Sequence, residues 1–450
     1  MARGYPLTGE GEGAWQAAAL RALADGPVGA VLASSEQHVV TAAKLAAELG
    51  LPGLGLRAAP TSRNKYLQRG LFGRHNVSQL EHQLCCQVEH ALEWAGEHCP
   101  VVVKPLSGMG GEGGERVRDE VSLESWYERH PTGMPFLVEQ YLTGPEFKME
   151  AIIGRVEVAL HGLTEKGTTR PPYCVPTAHW FPADRPTAAE RAAVHDLLAG
   201  VVRTLAISSG FPHLELRMEL DGPHIMEVAV PTPGGNIMDM IQAANGFDLC
   251  DVALALAFGE PRLRPPLDCD GVACVWFLAA PLGVVTAIDG AVRVAELPGV
   301  VDMEADVEVG DTVPPLRSSL DSVAVVIARA DDGDTLGRRF RAVQDELRLT
   351  VHPTEESVQQ HAPHQHAVRQ HTVHEHAPRE HTAQQHTVYE HGVYKHGVYK
   401  HGVYEPTARQ HTVREHTTVQ KHTVDQQTVQ EQTVPQRFIP RRVAGVGVSA

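Results

Sequence analysis

The sequence lacks the features that mark several common protein classes. It has no uninterrupted apolar run of the roughly 18 residues that a membrane span requires. Its N-terminus runs into Gly9, Glu10 and Glu12 instead of the apolar core of a signal peptide. Its seven cysteines are odd in number and form no Cys-x-x-Cys pair, which argues against a disulfide framework and a zinc site. The sequence therefore predicts a cytoplasmic protein with reduced thiols and no membrane partner.

An excess of positive charge is also missing. The 450 residues carry a formal net charge of −16 at pH 7, and the segment from His352 onward contributes +1, so the rest of the chain carries −17. A body this acidic is a poor surface for polyanions, and no nucleic-acid partner is expected, although a local basic pocket can still bind one nucleotide. The length is enough for two or three domains.

Histidine, in contrast, is abundant, with 26 residues against 10 Phe and 9 Tyr. From His361 to His416 a histidine recurs every fifth residue, with Pro406 in the one missed slot. Five residues advance about 140° around a helix and alternate faces on a strand, so neither element gathers these histidines on one side. We expect this tail to be disordered. Weak binding of divalent metals, a charge switch as histidine titrates, and an expanded repeat without a function all stay open for it.

A lysine before a glycine-rich loop is the first candidate binding feature. Residues 101–104 have the β-branched composition of a buried strand that ends in Lys104, and five glycines follow between Gly108 and Gly114. Glycines let main-chain N–H groups approach phosphate oxygens, while the lysine supplies a point charge. No Gly-Lys-Ser/Thr follows, so this is not a Walker loop, and a flexible surface loop is the alternative interpretation.

A pair of carboxylates on neighbouring strands is the second candidate feature. Strands are predicted at 213–219 and 223–230. A three-residue loop at 220–222 would place Glu215 directly opposite Glu227, whereas a two-residue loop would put them on opposite faces. Facing carboxylates favour a cation between them, and magnesium bridging nucleotide phosphates is the natural occupant; a solvated polar face is the alternative. In the three-residue register one face holds His213, Glu215, Arg217, Ile225 and Glu227.

Other segments are predicted from periodicity and end signals. Residues 28–34 predict a strand, residues 36–49 and 63–72 predict helices, and a further helix is predicted over 79–95. Thr187 and Glu190 form a capping-box pattern at the start of a helix. Residues 271–349 predict a small α+β module that closes with a helix over 334–347.

Taken together and in this order, these motifs resemble the ATP-grasp proteins of the carboxylate-amine ligase type, and are most similar to the L-amino acid ligases. The resemblance covers residues 28–349. It rests on VVVKP at 101–105 with its glycine loop, VEQYLTGPE at 138–146, Lys166 followed by PPY at 171–173, HLE at 213–215, GPHIMEV at 222–228 and PLG at 281–283.

The resemblance implies an α/β plus α+β protein with the ATP-grasp fold, in which two subdomains close on ATP. We expect a truncated N-terminal nucleotide-fold (pre-ATP-grasp) domain at 1–60, because only about 27 residues precede the first predicted strand. An ATP-grasp domain is expected at 61–262 with its lid at about 100–138, followed by a small C-terminal α+β module at 263–350 and the disordered His-rich tail at 351–450.

The resemblance also implies roles for single residues. Lys65 and Lys104 would contact phosphates, with Lys104 also near the adenine, and Glu146 would accept hydrogen bonds from the ribose. Glu215 and Glu227 would hold magnesium, or manganese in its place. The candidate cofactor-binding residues are Lys65, Lys104, Gly108, Gly110, Gly111, Gly113, Glu139, Gln140, Tyr141, Leu142 and Glu146, and the candidate catalytic residues are Lys166, His179 and Arg217.

The family's reaction transfers the γ-phosphoryl group of ATP to a carboxylate, after which an amine attacks the acyl phosphate. The expected partners are therefore ATP and a small amino or carboxylic acid; a homodimer stays open. Three positions depart from the pattern: Ala229 and Pro231 stand where the family usually has Asn and Arg, and Pro176 stands in the substrate loop. The alternative is a degenerate ATP-grasp protein that binds ATP without ligation, as a binding or scaffold module.

Overall fold

The computed structural model describes residues 5, 7, 11–33, 35–108, 110–130, 133–154, 157–230, 233–246, 248–259, 269, 271–353, 397–400 and 403–406. The chain divides into two units, Met1–Pro378 and Arg379–Ala450. Within the described ranges no single helix is long and apolar enough to cross a membrane; one bent pair, Ile237–Asn245 with Leu249–Ala257, reaches that length and composition together.

The helices and strands of the first unit alternate along most of the chain. The helices are α1 (Glu12–Asp25), α2 (Val39–Glu48), α3 (Ala58–Ser62), α4 (Lys65–Arg74), α5 (Val88–His98), α6 (Glu120–Glu128), α7 (Ala188–Leu205), α8 (Ile237–Asn245), α9 (Leu249–Ala257), α10 (Ala291–Ala295) and α11 (Gly333–Glu346). Short 3-10 turns occupy Glu36–His38 and Ser319–Asp321. The strands are β1 (His82–Cys85), β2 (Val101–Pro105), β3 (Glu115–Val117), β4 (Phe136–Gln140), β5 (Glu146–Gly154), β6 (Glu157–Thr168), β7 (Pro176–Phe181), β8 (Ser209–Gly210), β9 (His213–Glu219), β10 (Gly222–Ala229), β11 (Val272–Leu278), β12 (Gly283–Asp289), β13 (Val300–Ala305), β14 (Thr312–Val313), β15 (Ala324–Ala330) and β16 (Arg348–His352).

These strands form three sheets. A small sheet has the order β1-β4-β2-β3, and with α5 and α6 it encloses its own core around Trp126 and Leu123. A nine-stranded central sheet has the order β10-β9-β5-β6-β7-β11-β15-β13, with β8 paired to β5. A third sheet has the order β14-β12-β16. The first sheet spans the segment predicted as the lid, and the second carries the strands of the candidate site.

The central sheet is apolar on the face that packs against α7. Alternate residues of β5, from Phe147 to Ile153, are buried there with Leu214 and Leu216 of β9 and Leu198 of α7. Because successive side chains on a strand point to opposite faces, the residues between them must lie on the other face. On β5 that other face carries one large apolar side chain, Ile152, which packs against α8 and α9.

Several sequence-based predictions are confirmed. Thr187 and Glu190 form the expected capping box at the start of α7, and strands occur at β2, β9 and β10. Two predictions are wrong. Residues 28–33 form no strand, because no described strand lies beside them to complete a ladder. The helix predicted over 79–95 is instead β1 followed by α5, because His82–Cys85 pair with β4 at the edge of the small sheet.

The C-terminal region shares the central sheet. β11 pairs with β7, and β15 and β13 continue the sheet beyond it. The closing helix is present as α11, Gly333–Glu346. The boundaries proposed between the domains stay predictions, since the sheet runs across residue 263 without a break in its strand order.

The second unit is described only at one hairpin, β17 (Gly397–Lys400) with β18 (Val403–Pro406). Most of the tail for which disorder is expected lies outside the described residues.

Candidate functional site

Alternate residues of five neighbouring strands place polar side chains on one face of the central sheet. Because directly paired residues of an antiparallel ladder point to the same face, the register of β10, β9, β5, β6 and β7 defines rows across it. Three rows, which we call the charged face, make up the candidate site. The first is Arg217, Glu146, Lys166 and His179; the second is Glu227, Glu215, Lys148 and Thr164; the third is Ala229, His213, Glu150 and Gly162.

The β9–β10 hairpin places Glu215 directly opposite Glu227, which confirms the predicted pairing. The loop, however, has two residues, 220–221, instead of the predicted three. A β-bulge at Met226 then shifts the register by one residue and restores the pairing that the longer loop would have produced. The predicted outcome is right and the predicted turn is wrong.

The predicted placement of Ile225 on the charged face is wrong. This residue pairs with Leu216 and is fully buried in the apolar core, not on the charged face. The shift occurs after Ile225, so residues nearer the loop keep the facing set by the two-residue turn. The main-chain oxygen of Met226 accepts hydrogen bonds from Arg69 Nη2 and, at 3.5 Å, from Lys104 Nζ.

In the first row both carboxylate oxygens of Glu146 meet cations. Lys166 Nζ contacts Oε1, and Arg217 Nη2 donates to Oε2 at 2.9 Å. Burial would lower the pKa of Lys166, but the carboxylates of Glu146 and Glu215 raise it above its ordinary value. The candidate ribose ligand and two candidate catalytic residues therefore form one buried ion cluster.

In the second row the two facing carboxylates have different neighbours. Lys65 Nζ lies 2.8 Å from Glu227 Oε1. Lys148 Nζ lies 3.2 Å from Glu215 Oε1, and Lys166 Nζ lies 3.5 Å from Glu215 Oε2. Burial would raise the pKa of the Glu215 carboxyl, but the charges of Lys166 and Lys148 hold it well below its ordinary value. Glu215 is therefore ionised at neutral pH.

The third row is a buried polar chain that leads to Glu215. Glu150 Oε2 accepts a hydrogen bond from Thr164 Oγ1 at 2.9 Å, and Glu150 Oε1 lies 3.3 Å from His213 Nδ1. His213 Nε2 lies 3.7 Å from Glu215 Oε1. Burial would lower the pKa of His213, but hydrogen bonds with Glu150 and Glu215 raise it. Ala229, at the end of this row, offers no oxygen to any ligand.

A second ion cluster joins α4 to the small sheet. Arg69 Nε donates to Glu139 Oε2 at 3.0 Å, and Lys104 Nζ contacts Glu139 Oε1. Burial would raise the pKa of Glu139, but the charges of Arg69 and Lys104 lower it. Because two buried cations share this one carboxylate, the cluster carries a surplus positive charge that suits an anionic ligand.

The glycine loop has the backbone shape that glycine permits. Gly110, Gly111 and Gly113 have φ of 63°, 81° and 70°, in the left-handed region. The loop is tied down at both ends, because Trp126 Nε1 donates to the main-chain oxygen of Gly113 at 2.8 Å and Ser319 N donates to that of Gly110 at 3.4 Å. Gly108 stands just before the undescribed Met109 and has no left-handed φ.

The predicted hinge lies between the two ion clusters. The ring of Tyr141 has the guanidinium carbon of Arg116 4.3 Å from its centroid and that of Arg217 at 5.9 Å. The main-chain oxygen of Leu142 accepts a hydrogen bond from Arg217 at 3.4 Å, while Gln140 ends β4 with an exposed side chain. The hinge is therefore held from the charged face by Arg217.

His179 ends the first row and differs from its neighbours in having no charge. Neither ring nitrogen has a hydrogen-bond partner among the residues that the structure describes, and the ring packs edge-on against Phe277, with centroids 5.1 Å apart. Burial and the charges of Lys148 and Lys166 hold the pKa of His179 well below its ordinary value. The imidazole is neutral at pH 7.

Sequence reasoning missed several residues of the site: Arg69, Arg116, Lys148, Glu150 and, as a site residue, His213. A signal was present for some of them. Lys148 and Glu150 follow Glu146 at the period of two that a strand with one polar face produces, and Arg69 follows Lys65 by four residues, one helical turn away. The pairing of His213 with Ala229 depends on the bulge at Met226, and no local sequence pattern predicts that bulge.

The donor set does not fit a metal ion held between Glu215 and Glu227. The described part of the chain contains no group of three or more His, Cys, Asp and Glu side chains that could hold a metal. Magnesium requires near-octahedral oxygen ligation, and three basic side chains already surround Glu215. Glu227, with Lys65 as its ion-pair partner among the described residues, fits an ion that brings its other ligands with it on a phosphate.

Two of the three departures lie in or beside the site. Ala229 ends β10 in the third row, and Pro176 starts β7 opposite Thr168. Pro231 lies outside the described residues.

Comparison with known proteins identifies the fold. Residues 276–352 match the family described as L-amino acid ligase C-terminal domain 2. The uncharacterized protein y4rH of Sinorhizobium fredii is 26% identical over 334 residues, which cover 72% of this chain and 69% of that protein.

Solved structures agree with this match. The crystal structure of an L-amino acid ligase from Bacillus licheniformis superposes with a TM-score of 0.65 at 22% identity, covering 76% of this chain and 86% of that one. Phosphoribosylglycinamide synthetase from Anaerococcus prevotii gives a TM-score of 0.55 at 15% identity, with 71% and 81% covered. The biotin carboxylase β-γ-ATP complex from Campylobacter jejuni gives 0.55 at 17% identity, with 76% and 78% covered. The fold expected from the sequence motifs is confirmed: the chain has the ATP-grasp fold that these solved structures share, and its residues 276–352 match the L-amino acid ligase C-terminal domain 2.

Proposed function

We propose that this chain is an ATP- and magnesium-dependent carboxylate-amine ligase, which forms an amide or peptide bond through an acyl phosphate. One observation carries the proposal: the ladder register brings the candidate ribose, metal and catalytic residues of five strands onto one face of one sheet. The L-amino acid ligase domain at 276–352 supports a small amino or carboxylic acid as substrate.

The charges of the site favour a nucleotide phosphate chain. Arg69 and Lys104 share the single carboxylate of Glu139, which leaves positive charge beside the glycine loop. Lys148 and Lys166 supply further buried ammonium groups above the sheet. Cations and main-chain N–H groups arranged in this way bind phosphate oxygens through short, charge-assisted hydrogen bonds.

The residues can then support two displacement steps. In the first, a substrate carboxylate oxygen attacks the γ-phosphorus and ADP leaves; in the second, an amine nitrogen attacks the acyl carbon and inorganic phosphate leaves. Neither step needs a covalent protein nucleophile, because phosphoryl transfer depends on alignment and charge neutralisation. Lys148, Lys166 and Arg217 neutralise charge, and the neutral imidazole of His179 is able to accept a hydrogen bond from the amine. A magnesium ion that arrives on the nucleotide, with Glu227 among its ligands, would add further charge neutralisation at the phosphates.

The second candidate function is binding of ATP without ligation. It is favoured by Ala229, which gives the charged face a methyl group where the resemblance calls for an amide oxygen. Retention of Lys104, Glu146 and Glu227 supports nucleotide binding under either function.

An ADP-release assay over a panel of amino acids, with and without magnesium, separates the two. The ligase predicts ADP and amide in equal amounts with at least one substrate pair. The double variant Ala229→Asn with Pro231→Arg should then raise turnover, since loss of one such transition-state contact commonly costs about 10²- to 10³-fold in rate. ATP binding without ADP release, in both proteins and over the whole panel, would establish the binding module instead.

A further inference from the structure

The two facing carboxylates of the second row have different neighbours. Lys148 lies 3.2 Å, Lys166 3.5 Å and His213 3.7 Å from Glu215. Lys65 lies 2.8 Å from Glu227, and the nearby acid Glu36 is ion-paired with Arg63. Among the described residues, three basic side chains therefore lie within 4 Å of Glu215, and one lies within 4 Å of Glu227.

Lys148 is held where it is by the fold. It lies in the middle of β5, directly opposite Glu215 on one side and Thr164 on the other, and its side chain is 9% exposed. A buried ammonium group without a counter-charge is strongly destabilising in a low-dielectric interior, and Glu215 is the ion-pair partner of Lys148 within the described residues. The pair is thus part of the folded sheet.

A divalent cation at Glu215 would have to displace this pair. Magnesium binds carboxylate oxygens at about 2.0–2.1 Å. Both oxygens of Glu215 already face an ammonium group, whereas at Glu227 Lys65 contacts Oε1 alone among the described residues. The ion would also sit beside the positive charge of Lys166 and the imidazole of His213. Ala229 offers no oxygen in compensation.

We propose that Lys148 takes the place of a metal ion at Glu215, so that Glu215 anchors ammonium groups toward the bound phosphates and is not a metal ligand. This inference rests on the proposed nucleotide site and reassigns one of its two predicted metal ligands. Glu227 remains the one carboxylate of the pair that accepts a divalent ion.

Binding of Mn²⁺ to the full chain without nucleotide, followed by the electron paramagnetic resonance signal of the free ion, tests the inference directly. Lys148→Met should tighten Mn²⁺ binding at the paired carboxylates by about tenfold or more, because removal of one charge at this range has effects of that size. Lys148→Arg keeps the charge and should match the unaltered protein. Arg185→Met is the matched control, because it removes the partner of Glu165, whose place on β6 puts it on the opposite face.

The histidine-rich tail contributes equally in all four proteins, so only the difference between them counts. Equal Mn²⁺ affinity in the unaltered protein and in Lys148→Met, with both folded by circular dichroism, would overturn the inference. So would a loss of Mn²⁺ binding in Lys148→Met.

A calorimetric titration with ADP in EDTA and then in magnesium gives the second readout. Without a divalent ion, Lys148→Met should bind ADP at least about tenfold more weakly than the unaltered protein, and magnesium should restore much of that loss. The same loss with and without magnesium would also contradict the inference. Failure of the unaltered protein to bind ADP would refute the proposed function, while the Mn²⁺ comparison would still decide the role of Lys148.

Discussion

Between Glu146 and Ile153, strand β5 contributes side chains to both faces of the central sheet. Its odd-numbered residues pack with Leu214 and Leu216 of β9 into the apolar core against α7. Its even-numbered residues Glu146, Lys148 and Glu150 lie in the three rows of the charged face. Neighbouring residues of one strand therefore differ in function. The odd-numbered residues stabilise the fold, and the even-numbered residues line the candidate ligand site.

The apolar face contributes stability, because each buried aliphatic side chain gains about 1.5–3 kcal/mol from leaving water. The charged face contributes much less, since taking ions out of water offsets most of the attraction between them. Ions that are buried at such a cost, and gathered on one face of the sheet, indicate that this face serves to bind a ligand.

The largest effect is expected where a buried ion cluster loses its shared partner. Glu139→Gln leaves Arg69 and Lys104 without a carboxylate, and it should lower the free energy of unfolding by about 3–5 kcal/mol. Urea denaturation measures the change. Glu346→Gln removes the partner of Arg293 in an exposed pair and should cost less than about 1 kcal/mol. Equal losses in the two variants would mean that the Glu139 cluster is not buried as described.

On the apolar face, Leu216→Ala should lower the free energy of unfolding by about 2–5 kcal/mol, because it opens a cavity in a fully buried position. Leu220→Ala in the loop of the same hairpin is the control, because Leu220 is fully exposed. The free energy of unfolding of this variant should stay within about 0.5 kcal/mol of the unaltered protein. A lower ADP affinity in Leu216→Ala, measured at a temperature at which the variant is folded, would show that the apolar face also affects ligand binding and would contradict this division.

At the edge of the charged face, Lys104→Ala should weaken nucleotide binding by about 1.5–3 kcal/mol, the value of a hydrogen bond to a charged group. The glycine loop cannot replace this charge, because its N–H groups carry only partial charges. Calorimetry with ADP measures the loss. An unchanged affinity would remove Lys104 from the phosphate site.

The smallest effect is expected from the tail. A chain that ends at Pro353 keeps β16 and every residue of the charged face. A segment with so little bulky apolar content cannot add to the core, so ADP affinity and unfolding free energy should be unchanged. Aggregation of the shortened chain, or loss of ADP binding, would contradict this prediction.

Local sequence patterns were sufficient for features that depend on near neighbours. The capping box of Thr187 and Glu190 closes within four residues, and the left-handed backbone after β2 lies at glycines, which adopt it without strain. The β-branched run that ends in Lys104 forms the predicted strand. The order of the motifs was sufficient for the ATP-grasp fold, which the solved structures share.

Features that depend on residues distant in the sequence could not be predicted from local patterns. The segment 82–85 has a pattern compatible with a helix, and it became β1 because β4 offers it a ladder. The free edge of β4 makes this segment a strand instead of a helix. No residue near His82 in the sequence signals that such an edge will be available.

The order of amino acids specifies which residues are charged and that they alternate along β5 and β9, because successive side chains of any strand point to opposite faces. Which of these charges lie side by side depends on how the strands pair. The bulge at Met226 sets Glu227 against Glu215, and the pairing of β5 with β9 sets Lys148 against Glu215, where a metal ion was expected. A shift of one residue in either ladder would turn those side chains to the other face, so the register, which long-range packing selects, decides the chemistry of the site.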